Sequence, residues 1–208
     1  MKTKSEHRHI PCGFSCAQNG HEYMDGQMSK NDARLNGNSR LVNSADEWIE
    51  KLQLHEHPEG GYYRETFAGA DILTIEGLPK RYTGSRKTYT LIYYLLKSGQ
   101  SSHLHRLKSD EIFTFYTGSP LILHSINESG HYRREKLGLD NGGDISFQRL
   151  MKAGVWFGAT VSEEDSFSLV GCFVAPGFEF QDFQLGSRSE LLALFPRHRS
   201  VIEMLTVL

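Results

Sequence analysis

The sequence has little cysteine, no long apolar run and no excess of either charge. Cys12, Cys16 and Cys172 cannot all pair within one chain, which excludes a disulfide framework as the source of stability and leaves reduced thiols as the reading. No stretch of about 18 apolar residues is present to cross a membrane as a helix. The N-terminal charges are not followed by the apolar segment of a secretory signal, so the expected location is the cytoplasm. For the same reason Asn127-Glu128-Ser129, a formal glycosylation acceptor, is expected to stay unmodified. Lysine and arginine total 23 against 25 aspartates and glutamates, so no general basic surface invites nucleic acid.

Aliphatic residues are scarce at one end. Of isoleucine, leucine and valine, residues 1–42 hold only Ile10, Leu35, Leu41 and Val42, too little apolar surface to offset their own ordering entropy, and they are expected to be a disordered tail. Cys12, Cys16, His7, His9 and His21 in this stretch fit the spacing of no compact zinc module. The ordered domain is expected over residues 43–208, in a length usual for one domain. It opens at Ser44-Ala-Asp-Glu47, a capping box followed by Trp48, Ile49 and Leu52 on one helical face, which predicts a helix of about ten residues.

From His57 onward the sequence turns to short β-rich runs. These are residues 62–67, 88–96, 101–107, 111–117, 121–126, 131–137, 167–175 and 178–184. Gly60-Gly61, Lys97-Ser98-Gly99, Gly118-Ser119-Pro120, Ser129-Gly130, Asp140-Asn141-Gly142-Gly143 and Pro176-Gly177 separate them with residues suited to turns. Such spacing predicts an all-β sandwich or barrel. The C-terminal end, with Ser189 as a cap and Leu191, Leu192, Leu194 and Phe195 before Pro196, predicts short helices covering it.

The segment from Gly99 to Gly118 carries the chemistry. Two strand-like runs joined by Lys108-Ser109-Asp110 read as a β-hairpin. Alternation then puts His103, His105, Leu107, Glu111, Phe113 and Phe115 on one face. Histidine and glutamate on an aromatic face are costly to bury without partners, which points to a ligand pocket or to a satisfied polar pair at a barrel mouth. In Tyr62-Tyr63-Arg64-Glu65-Thr66 alternation places Tyr62, Arg64 and Thr66 on one face and Tyr63 and Glu65 on the other. Arg64, if inward, is a fork for phosphate or carboxylate; otherwise it pairs with a core carboxylate such as Glu111 or Glu65.

Gly99, His103-x-His105, Glu111 and Gly118 resemble the first motif of the cupin superfamily, with one residue more between His105 and Glu111 than cupins commonly use. His57-Pro-Glu-Gly-Gly-Tyr-Tyr-Arg-Glu-Thr66, Ile92-Tyr-Tyr-Leu-Leu96, His105-Arg106 with Asp110-Glu111, Ala153-Gly-Val-Trp156 and Leu169 to Phe178 narrow the resemblance to the type-five cupin-like family, a domain of unknown function. The resemblance implies an all-β jelly-roll β-barrel, a double-stranded β-helix with short flanking α-helices, that forms a homodimer. It also implies a small-molecule ligand: a nucleotide, a nucleotide sugar or a sugar phosphate, with isomerase or epimerase chemistry.

In that reading His105 is the general base, Glu111 holds its tautomer and Tyr63 is the acid. Tyr62, Arg64, Phe113, Trp156, Phe178 and Asp182 line the ligand site with His105, and Asp182 orients a histidine. A metal-dependent alternative, a dioxygenase or sugar-phosphate isomerase, would place a divalent metal on His103, His105 and Glu111. Phe157 occupies the position of the fourth ligand in metal-binding cupins and has no lone pair to give. A third alternative is a binding protein without turnover.

Overall fold

The computed structural model describes residues 44–139 and 146–207. The expected tail, with its cysteines and histidines, and the Asp140–Gly143 turn lie outside them.

The chain opens with α1 (Ala45–Leu52), whose capping box is present: Glu47 N–H donates to Ser44 Oγ, and Ser44 N–H donates to the Glu47 carboxylate, both at 3.2 Å. Trp48, Ile49 and Leu52 pack with Leu54 onto Leu95, Phe167 and Leu169. Thirteen strands follow among the described residues: β1 (His55–Glu56), β2 (Tyr62–Ala68), β3 (Ile72–Leu73), β4 (Arg86–Lys87), β5 (Thr90–Lys97), β6 (Ser101–Leu107), β7 (Asp110–Gly118), β8 (Leu121–Ile126), β9 (Tyr132–Leu137), β10 (Gln148–Met151), β11 (Trp156–Val161), β12 (Phe167–Ala175) and β13 (Phe183–Leu185). The chain then forms α2 (Arg188–Leu194) and α3 (Arg199–Met204).

Two antiparallel sheets make a jelly roll. One has the order β1-β2-β5-β12-β7-β10, the other β13-β6-β11-β8-β9, and β3-β4 form a small ribbon. No pairing among the described residues joins the two large sheets into a continuous ring, so the barrel is a two-sheet sandwich. Tyr94, Leu96, Leu121, Leu123, Phe157, Val170 and Cys172 meet between the sheets. On the outer side of the five-stranded sheet, Leu104, Ile126 and Trp156 are covered by Leu191, Val201, Ile202 and Leu205 from the C-terminal helices. β5 and β8 therefore read as nearly continuous apolar runs, because both of their faces are covered.

Three expectations are corrected. β6 and β7 are not a hairpin: β6 pairs with β11 and β13, β7 with β10 and β12. Lys108 and Ser109 lack the positive-φ residues of a two-residue hairpin turn. They form a corner between sheets, held where Tyr82 Oη meets Ser109 Oγ at 2.9 Å. The run 178–184 is not one strand, since a 3-10 turn (Phe180–Asp182) precedes β13. The helix expected to be capped by Ser189 starts earlier, with Ser187 at its N-cap. β10 and β11 were not predicted, although Trp156 and Phe157 lie in β11.

Candidate functional site

A cavity of about 330 Å³ opens between the sheets. Its walls are Ile92, Leu107, Val174, Phe178, Phe180 and Phe183, and its polar groups include His55, His57, Glu59, Tyr63, Glu65, His105, Glu111 and Cys172. Cross-strand neighbours share a face, so the pairing of β2 with β5 decides which side chains enter. Tyr63 lies opposite Tyr94 and Glu65 opposite Ile92, all four lining the cavity. Tyr62 lies opposite Leu95 and Arg64 opposite Tyr93, on the α1 side.

The polar floor is built on the turn before β2. Gly60 has φ 101°, and a Cβ there would stand 2.3 Å from the Ser101 carbonyl oxygen, so only glycine lets this turn lie against β6. His103 N–H donates to Glu59 O at 2.7 Å and Tyr94 Oη donates to Gly60 O at 2.8 Å, locking it there. Glu59 is thereby carried inward. Ser102 Oγ donates to its Oε1 at 2.9 Å, while its Oε2 stands 3.2 Å from His105 Nε2 and 3.5 Å from His57 Nδ1.

Proton positions follow from the partners. His105 Nδ1 lies 2.8 Å from the His103 carbonyl oxygen, which only accepts, so Nδ1 carries the proton and Nε2 presents its lone pair to Glu59. One proton must lie between Nε2 and the carboxyl. Burial pushes His105 down to about 4 and pushes Glu59 up, which keeps that proton on the carboxyl. Glu59 N–H donates to His57 Nδ1 at 3.3 Å, and burial lowers this histidine too.

Glu111 reaches the same cavity from β7. It is 6 % exposed, and burial raises its carboxyl to about 8. The Cys172 thiol, itself raised well above its ordinary value by burial, is its hydrogen-bond partner.

Residues 46–186 match the family described as Cupin superfamily (DUF985). The chain belongs to this family. A hypothetical protein from Leishmania major is 35 % identical, with a TM-score of 0.72, over 80 % of this chain and 100 % of that one. A protein from Shewanella oneidensis is 37 % identical, with a TM-score of 0.71, over 80 % and 99 %. An uncharacterized protein of Saccharomyces cerevisiae is 28 % identical over 67 % of this chain and 73 % of its own length.

In this cupin, the structure brings His105, Glu111, Tyr63 and Phe178 together on the cavity lining. Phe113 belongs to the core beside it, its ring 6.0 Å from that of Phe157, which in turn packs edge-on against His105 at 4.2 Å. Three expected ligand-site residues are elsewhere. Tyr62 packs with the residues under α1, and Trp156 faces the C-terminal helices with the Arg106 guanidinium 4.6 Å from its ring centroid. Asp182 orients no histidine; it accepts from Arg86 Nε at 2.5 Å and Nη2 at 2.7 Å, with Lys108 Nζ at 3.3 Å. Arg64 borders the cavity, but its Nη1 donates to Gln53 at 3.4 Å and its guanidinium lies 5.9 Å from the Tyr93 ring centroid.

Sequence reasoning assigned the tautomer of His105 to Glu111, whereas the His103 carbonyl and Glu59 hold it. Glu59 was legible as a buried carboxylate candidate only through the Gly60-Gly61 pair beside it, and Glu65, Phe180 and Phe183 through alternation alone. The metal set expected of His103, His105 and Glu111 does not fit. Among the described residues no three His, Cys, Asp or Glu side chains are grouped to hold an ion, and His105 has both ring nitrogens engaged.

Proposed function

We propose that this cupin binds a small molecule in the barrel and moves a proton on it, as an isomerase or epimerase does. The observation that carries the reading is Glu111, a buried carboxyl facing the cavity and raised to about 8, where it can both hold and release a proton near neutral pH. In carboxylate form it takes a proton from the carbon beside a carbonyl, and the electron pair moves to the carbonyl oxygen. As the acid it returns the proton to the neighbouring carbon or to the opposite face. Tyr63 is the donor to the developing oxyanion. Glu59, Ser102 and His105 form the fixed floor, which makes His105 a positioning residue rather than the base.

The nucleotide, nucleotide sugar or sugar phosphate implied by the resemblance is the narrower form of this reading. A phosphate needs a cation, and the Arg64 guanidinium is turned to Gln53 and Tyr93, which favours an unphosphorylated ligand. The test is incubation in deuterated water with a panel of neutral sugars, small hydroxy- and amino-carbonyl compounds, hexose phosphates and nucleotide sugars. Solvent deuterium should enter a bound compound, with a rate that rises to about pH 8 and then levels, and Glu111→Gln should lower it at least a hundredfold. A compound that binds without exchange in the wild type would leave a binding protein without turnover.

A further inference from the structure

The charge inventory of the cavity says more about its occupant than its shape does. Glu59, Glu65 and Glu111 all line it, and no lysine does among the described residues. The one arginine on its border directs its guanidinium to the other side of β2. Glu65 has a single weak partner, Lys87 Nζ at 4.0 Å, in an exposed pair that adds little. The remaining basic groups on the lining are His55, His57 and His105, of which His57 and His105 are lowered by burial and so bring no positive charge at neutral pH. The rings of Tyr63, Phe178, Phe180 and Phe183 line the same cavity. Carboxyls and ring faces both attract cations, and the second attraction strengthens where water is excluded.

We infer that the ligand of this cavity carries a cationic nitrogen, which the Glu111 carboxyl and the surrounding rings receive. The inference rests on the cavity being the binding site and names the charge of what it binds. The volume, about 330 Å³, is roughly eleven times the ~30 Å³ that a water molecule takes in the liquid, so an organic ammonium with an apolar body fits better than a bare ion. Ile92, Leu107 and Val174 supply the apolar surface for that body. A positive charge beside Glu111 offsets the burial that keeps its carboxyl protonated, so binding releases a proton and leaves Glu111 as the carboxylate. The substrate's own nitrogen thus generates the base that acts on it.

Matched amines and alcohols test this. Butylamine and phenethylamine would be titrated calorimetrically into the full-length protein at pH 7 beside butanol, phenylethanol and phenylethyl phosphate, each in phosphate and in HEPES buffer. The amines should bind at least tenfold tighter than their alcohols. Their apparent heats should differ between the buffers by the amount expected for release of close to one proton, a readout that needs no variant. Glu111→Gln, which keeps the neutral state of the resting carboxyl, should cut the amine preference below threefold and abolish the buffer difference. Alcohols binding as tightly as amines, or the phosphate ester binding tightest, would overturn the cationic ligand while leaving the cavity as the binding site. If no compound of the panel binds the wild type, the inference and the function it rests on both fall.

Discussion

Glu59 Oε2 lies 3.2 Å from His105 Nε2, and the two residues come from different motifs of the chain. The ring cannot donate at this nitrogen, because its proton is held at Nδ1 by the His103 carbonyl. The contact is therefore a neutral hydrogen bond from a protonated carboxyl to an imidazole lone pair, not an ion pair.

Glu59→Gln should then cost about 1 kcal/mol or less at pH 7, because the amide N–H₂ can donate to Nε2 while its oxygen accepts from Ser102. Glu59→Ala leaves the buried imidazole and hydroxyl without partners and should cost about 2–4 kcal/mol. Urea denaturation of the two variants measures both. A loss of about 3–5 kcal/mol in Glu59→Gln, the range for breaking a buried ion pair, would show that the pair is charged.

Glu111 makes stability depend on pH in a definite direction. Its carboxyl rises from the ordinary 4.5 to about 8 on folding, so the folded protein holds the proton more tightly than the unfolded chain does. That contribution is fully present below about 4.5 and is lost as pH climbs through 8. Compared with Glu111→Gln, the wild type should lose stability by up to about 1.4 kcal/mol per pH unit across this window, with a constant difference above it. Denaturation of both proteins between pH 4.5 and 9 measures the slope.

The Arg86 and Asp182 pair anchors the aromatic wall of the cavity. Arg86 is 1 % exposed and binds Asp182 through two nitrogens, while Asp182 closes the 3-10 turn between Phe178 and Phe183. Arg86→Met leaves the carboxylate buried with Lys108 alone and should cost about 3–5 kcal/mol, and Arg86→Met with Asp182→Leu should recover at least half of that. Melting curves of the single and double variants report the recovery. Equal losses in both would mean that packing, not charge, dominates there.

The helix under Ser44 was legible because a capping box and an apolar stripe are local devices, satisfied within one turn and the next. β6, β8 and β12 match their predicted spans for a similar reason, and β11 does not, since its central Gly158-Ala159 carries little strand signal. The inward set of His105, Leu107 and Glu111 survived the loss of the hairpin that suggested it. Side chains alternate along any strand whatever its neighbour, and both strands face the same interior from opposite sheets.

Tyr62 and Tyr63 show the limit. Alternation determined that they point apart, yet both are apolar enough for either side, and only the packing of α1 over Leu95 decided that Tyr63 enters the cavity. The same holds for Arg64, which alternation tied to Tyr62 and the fold carried to the α1 side. Asp182 and Arg86, 96 positions apart, met because the 3-10 turn and β4 converge near the corner between β6 and β7. The sequence by itself determined the family, the strand periodicity and the polar residues available to a site. The tertiary structure decided which of them share a cavity, because choosing among distant partners depends on the packing of whole sheets, and no local pattern encodes it.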